Sequence, residues 1–172
     1  MREFADWLYL TGPSLFIQEH YTWVIPTLQS IHIMGIAVVF GSVFLMTLRL
    51  LGLAGTDQPM VRIAERFGGW LKWGLVALAT TGGLLIIGEP PRELVNFSFW
   101  TKMTLVAFNA IVGFRWIASV KKNPEAWEGP DAQLGSVKLM AVLMFLIFIA
   151  IIFLGRLIAY DQIWGDWSPL NA

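Results

Sequence analysis

Four apolar stretches, at about residues 23–53, 67–87, 99–120 and 137–159, constrain this chain more than anything else in it. Each reaches or exceeds the ~20 residues an α-helix needs to cross a bilayer. A backbone in hydrocarbon has no water to bond, so such stretches fold as helices, and four of them with short connections predict one domain, an all-α integral membrane four-helix bundle spanning residues 1–172. The first stretch is longer than a bilayer requires, so it is tilted, kinked near Pro26, or emerges at one end. Gly55–Glu65, Glu89–Ser98 and Lys121–Gly135 are polar and are expected to be loops. Only 14% of residues are charged, far below the roughly 25% of soluble domains.

Twelve basic and twelve acidic side chains cancel, leaving no polybasic field for nucleic acid; the lipid bilayer is the expected partner. The absence of cysteine excludes disulfides, thiolate zinc sites, iron–sulfur clusters and thiol nucleophiles. Any metal must use His, Met, Lys, carboxylate or carbonyl ligands. Glu3 and Asp6 stand where a signal peptide is basic, and Gly12-Pro13 breaks the apolar pattern of Phe4, Trp7, Leu8 and Leu10. The first residues are therefore expected to form a short amphipathic segment of the mature protein, lying flat in the interface. Arg49, Arg62, Arg66 and Lys72 surround the first loop and Arg115, Lys121, Lys122 and Lys138 the third, which predicts cytoplasmic first and third loops and both termini outside. Trp7, Trp23, Trp100, Trp164 and Trp167 would then form the outer aromatic belt, and Trp70, Trp73, Trp116 and Trp127 the inner one.

Within this apolar frame His32 is the informative residue, since an ionisable side chain at membrane depth is expensive and marks function by default. It lies about 13 Å along the first span, and Asn109 reaches a similar depth in the third, whereas Lys102 is only a few Å in. Thr80, Thr81, Gly82 and Gly83 fall near the same layer of the second span, so His32, Asn109 and this step are expected neighbours. Adjacent glycines admit either close helix packing or a flat macrocycle. Bland roles stand beside these. His32 and Asn109 can bond across helices, His20 suits the wet interface, Lys102 can snorkel, and Met34, Met46, Met103, Met140 and Met144 can be packing. Arg49 and Arg115 suit topology determinants; Arg156 either snorkels or meets Glu89, Glu93 or Asp161.

His32 followed by Gly35 and Gly41, then Thr47-Leu48-Arg49-Leu50, Arg66-Phe67, Thr81-Gly82 and Phe99-Trp100-Thr101-Lys102-Met103-Thr104-Leu105, resembles the pattern of CopD-type copper-resistance membrane proteins over about residues 28–110. The His and Lys placements also resemble HemJ-type protoporphyrinogen oxidases. His32-x-x-Gly35 and Leu48-Arg-Leu-Leu-Gly52 are similar to bacterial four-span proteins, which implies a bacterial inner membrane setting. The HemJ resemblance implies that His32 is the axial metal ligand of a b-type haem and that Lys102 is required for catalysis. In that arrangement the haem leans on Gly82 and Gly83, with Asn109 nearby, and its propionates meet Lys102 or Arg92.

Three functions follow. The first is a b-haem redox protein moving electrons between a membrane quinone or porphyrin and an outside partner; with no second spanning histidine, a bis-His relay within one protomer is excluded. The second is copper handling through His32 and Met, although no Met-x-x-Met or His-rich tract is present and Met34 points to another helix face. The third is a cofactor-free structural or assembly subunit, as a homo-oligomer or in a larger membrane complex.

Overall fold

The computed structural model describes residues 1–128, 135–158 and 160. Its helices are α1 (Arg2–Tyr9), α2 (Gly12–Glu19), α3 (Tyr21–Leu51), α4 (Met60–Gly88), α5 (Pro90–Leu94), α6 (Phe97–Lys122) and α7 (Gly135–Ile158), with a 3₁₀ turn at Pro124–Trp127. The described residues contain no strand. α3, α4, α6 and α7 are each long and apolar enough to cross a membrane. They form a four-cornered bundle in which α3 lies between α4 and α7, and α6 lies opposite it, also touching both.

The tightest seam is α3 on α4. Ile25, Leu28, His32, Gly35, Val39, Ser42 and Met46 recur at alternating spacings of three and four, which keeps one stripe of α3 facing its partner. The facing stripe of α4 is built of small residues, and Gly74, Thr81 and Gly88 are all buried. A Cβ added at Gly74 would stand 2.7 Å from Val39 Cγ2, and one at Gly35 3.0 Å from Leu78 Cδ2. Small residues thus let the two backbones approach, as is usual between membrane helices.

Buried apolar side chains gather in three places. Val39, Met46, Ile63, Leu71, Ile117 and Phe148 fill the middle of the bundle. Leu50, Met60, Ala64, Val120 and Ala141 close the end that carries Arg49. Ala5, Leu94, Phe99 and Ile158 close the opposite end, where α5 lies.

At the Arg49 end, Gly52 adopts the left-handed conformation (φ 76°) that terminates α3, and the Leu53 N–H donates to the Leu48 carbonyl at 2.9 Å. Arg49 ties the connection down by donating from Nε and Nη2 to the Gln58 carbonyl (3.2 and 2.9 Å), while the Glu128 carboxylate accepts from the Met60 N–H and caps α4. At the α5 end the Asn96 side chain accepts from the Ser98 N–H at 2.8 Å and opens α6. α1 packs on α5, and α2 on α4, where Ile17 and Ile25 enclose Gly88.

Two expectations are corrected. α4 begins at Met60, seven residues before the expected start, because residues 60–66 are amphipathic, with Met60, Ile63 and Ala64 buried and Arg62, Glu65 and Arg66 exposed. The N-terminal segment, broken at Gly12-Pro13 as expected, is two short helices at the bundle end that bury Ala5 and Ile17 and leave Phe4, Trp7, Leu10 and Phe16 exposed. Trp116 and Trp127 do not join an aromatic belt; they pack edge to face at 6.0 Å between α6 and the turn after it, whereas Trp7, Trp23, Trp70, Trp73 and Trp100 are exposed as a belt requires. Trp164 and Trp167 lie outside the described residues.

Candidate functional site

His32 occupies one slot of the α3 stripe, and the α4 residue opposite it is Thr81. Imidazole Nδ1 and Thr81 Oγ1 are 2.7 Å apart, and Thr81 Oγ1 also donates to the Ala77 carbonyl at 2.7 Å. A hydroxyl has one proton. With that proton on the Ala77 carbonyl, Thr81 accepts from the imidazole Nδ1–H, which fixes the ring as the Nδ1–H tautomer and leaves the Nε2 lone pair free. Gly82 lies against the ring edge, since a Cβ there would stand 3.4 Å from His32 Cε1.

The antiparallel register of the other helices sets the rest of the layer. Gly68 on α4 faces Ile117 on α6, so counting toward the α5 end brings Thr81 level with Thr104, beside Lys102. Lys102 projects from this part of α6 toward α7. Its stem passes Gly155 of α7, where a Cβ would stand 3.9 Å from Lys102 Cδ, and its ammonium sits 5.1 Å from the ring centroid of buried Phe99. The layer thus carries His32, Thr81 and Lys102 between the glycines of α4 and α7. Phe99, which Lys102 covers, belongs to the apolar cluster at the α5 end.

A polar line continues toward the α5 end. Glu93 is the carboxylate whose field acts on Lys102. Burial pushes the Glu93 carboxyl above the usual carboxylate range, against the opposing pull of Lys102 and Arg92. Arg92 is committed to an ion pair with Glu89 at 2.6 Å, whose other oxygen accepts from Tyr21 Oη at 3.4 Å.

The expected constellation is therefore assembled in part. His32 and Gly82 are in contact, and Lys102 enters from α6 about two residues from their level, against Phe99 and Gly155. Gly83 points elsewhere on α4, with nothing within 4 Å of an added Cβ. Asn109 lies about five residues, or ~8 Å, deeper than the His32 layer and donates to the Met144 carbonyl on α7 at 3.0 Å, leaving its buried Oδ1 without a protein donor. Arg92 lies on α5, away from the ring. His20 stays at the bundle end, its Nδ1 2.9 Å from the Phe16 carbonyl, and Met34 is 69% exposed on another face of α3. Arg156 donates to Tyr160 Oη at 3.2 Å; of its expected partners Asp161 lies outside the described residues. Among the described residues no three His, Asp or Glu side chains converge as a metal-holding group.

Thr81, which the family pattern includes with Gly82, is the site residue to which the sequence assigns no role beside His32. Its signal is the seven-residue spacing Gly74-Thr81-Gly88, which puts Thr81 on the small-residue face and Thr80 outside.

Residues 4–161 match the model of a family of unknown function, DUF6644. No curated protein and no solved structure matches the chain.

Proposed function

We propose that this chain, which belongs to the DUF6644 family of unknown function, is a membrane redox protein that holds a b-type haem through His32. The observation that carries the reading is the Thr81–His32 hydrogen bond. Ligating histidines characteristically donate their other ring N–H to a fixed acceptor, which sets the tautomer and raises ligand basicity, and His32 already has that arrangement. A single imidazole, with no group of three His, Asp or Glu side chains among the described residues, is a donor set that haem iron accepts, because the macrocycle supplies its remaining ligands. Gly82 lies against the ring edge without a side chain of its own, and Lys102 supplies a cation for a propionate. Bound there, the haem would supply one-electron chemistry toward a quinone or porphyrin partner. The protein's own part is to fix the imidazole through its Nδ1 bond to Thr81 and to present Lys102 nearby. The resemblance of His32 and Lys102 to the HemJ-type pattern supports the same assignment.

The setting that completes this reading is a bacterial inner membrane with both termini outside and the Arg49 end cytoplasmic, supported by the basic flanks. Reporter fusions after Ala172 test it; activity of a cytoplasm-dependent reporter alone would reverse it.

The decisive experiment is a visible spectrum of protein purified from haem-supplemented cells. Wild type should show a stoichiometric Soret band, His32→Ala should lose it, and His20→Ala should keep it. A colourless wild type, or a band unaffected by His32→Ala, refutes the assignment.

A further inference from the structure

A second surface of α4, remote from His32, carries an independent inference. Arg62, Arg66, Gly69, Trp73, Val76 and Thr80 follow one another at spacings of four and three, and all are exposed, so they form one continuous stripe on the outside of the bundle. The stripe changes character along its length. It begins with two guanidiniums, passes a glycine where an added Cβ would meet nothing within 4 Å, and continues into Trp73 and Val76, 68% and 47% exposed, flanked by Trp70 at 61%. Gln58, Arg62, Glu65 and Arg66 line an open cleft of about 470 Å³ at its polar end.

The helix length places this pattern in the bilayer. α4 has 29 residues and is ~43 Å long, whereas the hydrocarbon core is ~30 Å thick, so its first turns stand in the headgroup layer. Trp70 and Trp73 then sit at the boundary, where tryptophan is favoured. Among the described residues neither Arg62 nor Arg66 has a carboxylate within ion-pairing distance, the one ion pair there being Arg92–Glu89. With Lys72 on the adjoining face, Glu65 in the cleft and Asp57 beside it, the local charge is three positive against two negative, a balance of one positive. A phosphodiester accepts bidentate guanidinium hydrogen bonds, and its acyl chains need a flat apolar track beneath.

We infer that the Arg62–Arg66 cleft and the Gly69–Trp73 track below it bind an anionic glycerophospholipid, its phosphate on the two arginines and an acyl chain along the glycine. A zwitterionic lipid carries its own cation and gains less from the local positive balance. The site is separate from the His32 layer and stands or falls independently of haem.

Thermal unfolding of the intact protein in detergent, with phosphatidylglycerol, phosphatidylcholine or inorganic phosphate added, tests the assignment, together with native mass spectrometry of retained lipid. Phosphatidylglycerol should raise the midpoint and remain bound, with phosphatidylcholine weaker. Arg62→Gln/Arg66→Gln should lose that preference, Arg62→Lys/Arg66→Lys should keep part of it, and Arg115→Gln at the end of α6 should keep it fully. Equal effects of the two lipids on wild type, or an undiminished preference in the double Gln variant, overturn the inference. A shift reproduced by inorganic phosphate alone assigns the cleft to a free anion and overturns it also. The wild-type lipid comparison decides even if the double variant fails to fold.

Discussion

Thr81→Val separates a positioning role for Thr81 from a merely structural one. The substitution keeps the β-branched shape and removes only the hydroxyl, so the helix backbone and the α3–α4 seam should persist. What is lost is the acceptor 2.7 Å from His32 Nδ1. An unpaired buried donor costs ~1–3 kcal/mol, while interhelical hydrogen bonds in membrane proteins average ~0.6 kcal/mol and reach ~1.7. His32 is half-buried, so about 1 kcal/mol of bundle stability is the expected loss. The effect on ligation should be larger, because removing the partner that orients a ligating histidine typically weakens metal binding 10–100-fold, or ~1.4–2.8 kcal/mol at 1.4 per decade. Haemin titration into apoprotein, followed at the Soret band, measures the second quantity; unfolding in increasing mole fractions of SDS, followed by circular dichroism, measures the first. Thr81→Ser should restore most of both. A Thr81→Val protein that is destabilised yet binds haemin like wild type would refute the orienting role, and one unchanged in both would refute the hydrogen bond's importance altogether.

Gly74→Ala should destabilise the bundle by ~1–3 kcal/mol in the same SDS assay, since the new methyl would meet the stiff, fully buried Val39 at 2.7 Å, whereas Gly41→Ala, with open space around it, should not. Lys102→Met should weaken haemin retention on gel filtration while leaving the helical spectrum intact, and Lys102→Arg should be milder; equal retention in all three proteins would make Lys102 a bystander. Glu93 has its carboxyl raised by burial in the folded state, so the fold holds that proton more tightly than the unfolded chain does. Its contribution is therefore fully present below the ordinary carboxylate pKa and is lost as pH rises through the raised one. Glu93→Gln should flatten the fall of thermal stability on that side and match or exceed wild type at neutral pH, as melting curves from pH 4 to 8 would show.

The four spans were legible because bilayer thickness imposes a length that hydropathy alone reveals. Their partners in depth were less so. Counting from Phe99 put Asn109 level with His32, but the Gly68–Ile117 contact slides α6 by more than a turn and brings the stretch around Thr104, close to Lys102, to that level instead. Such offsets are set by which small residues meet across a seam, a pairwise property that one helix's sequence does not contain. Thr81 was blurred with Thr80 for a related reason: the pair share a depth, and only the face distinguishes them. Arg92 looked available because its charge was visible and its ion pair with Glu89, formed within one turn of α5, was not. The early start of α4 escaped notice because its first turns are amphipathic, so window hydropathy falls there while helical packing continues.

The seam between α3 and α4 also bears on biogenesis. The two helices are joined by a short connection that Arg49 staples to Gln58, and glycines meet valine and leucine directly between them, while Ile117 of α6 and Phe148 of α7 complete the core beside Val39. Both partners of the His32–Thr81 pair stand on the first two spans, so a nascent chain carries them before α6 and α7 are made. On that order the pair would form first, and α6 and α7 would arrive as a second hairpin around it. Co-expressed halves of the chain, cut between Lys122 and Gly135, would on this account reassemble around a histidine that is already set.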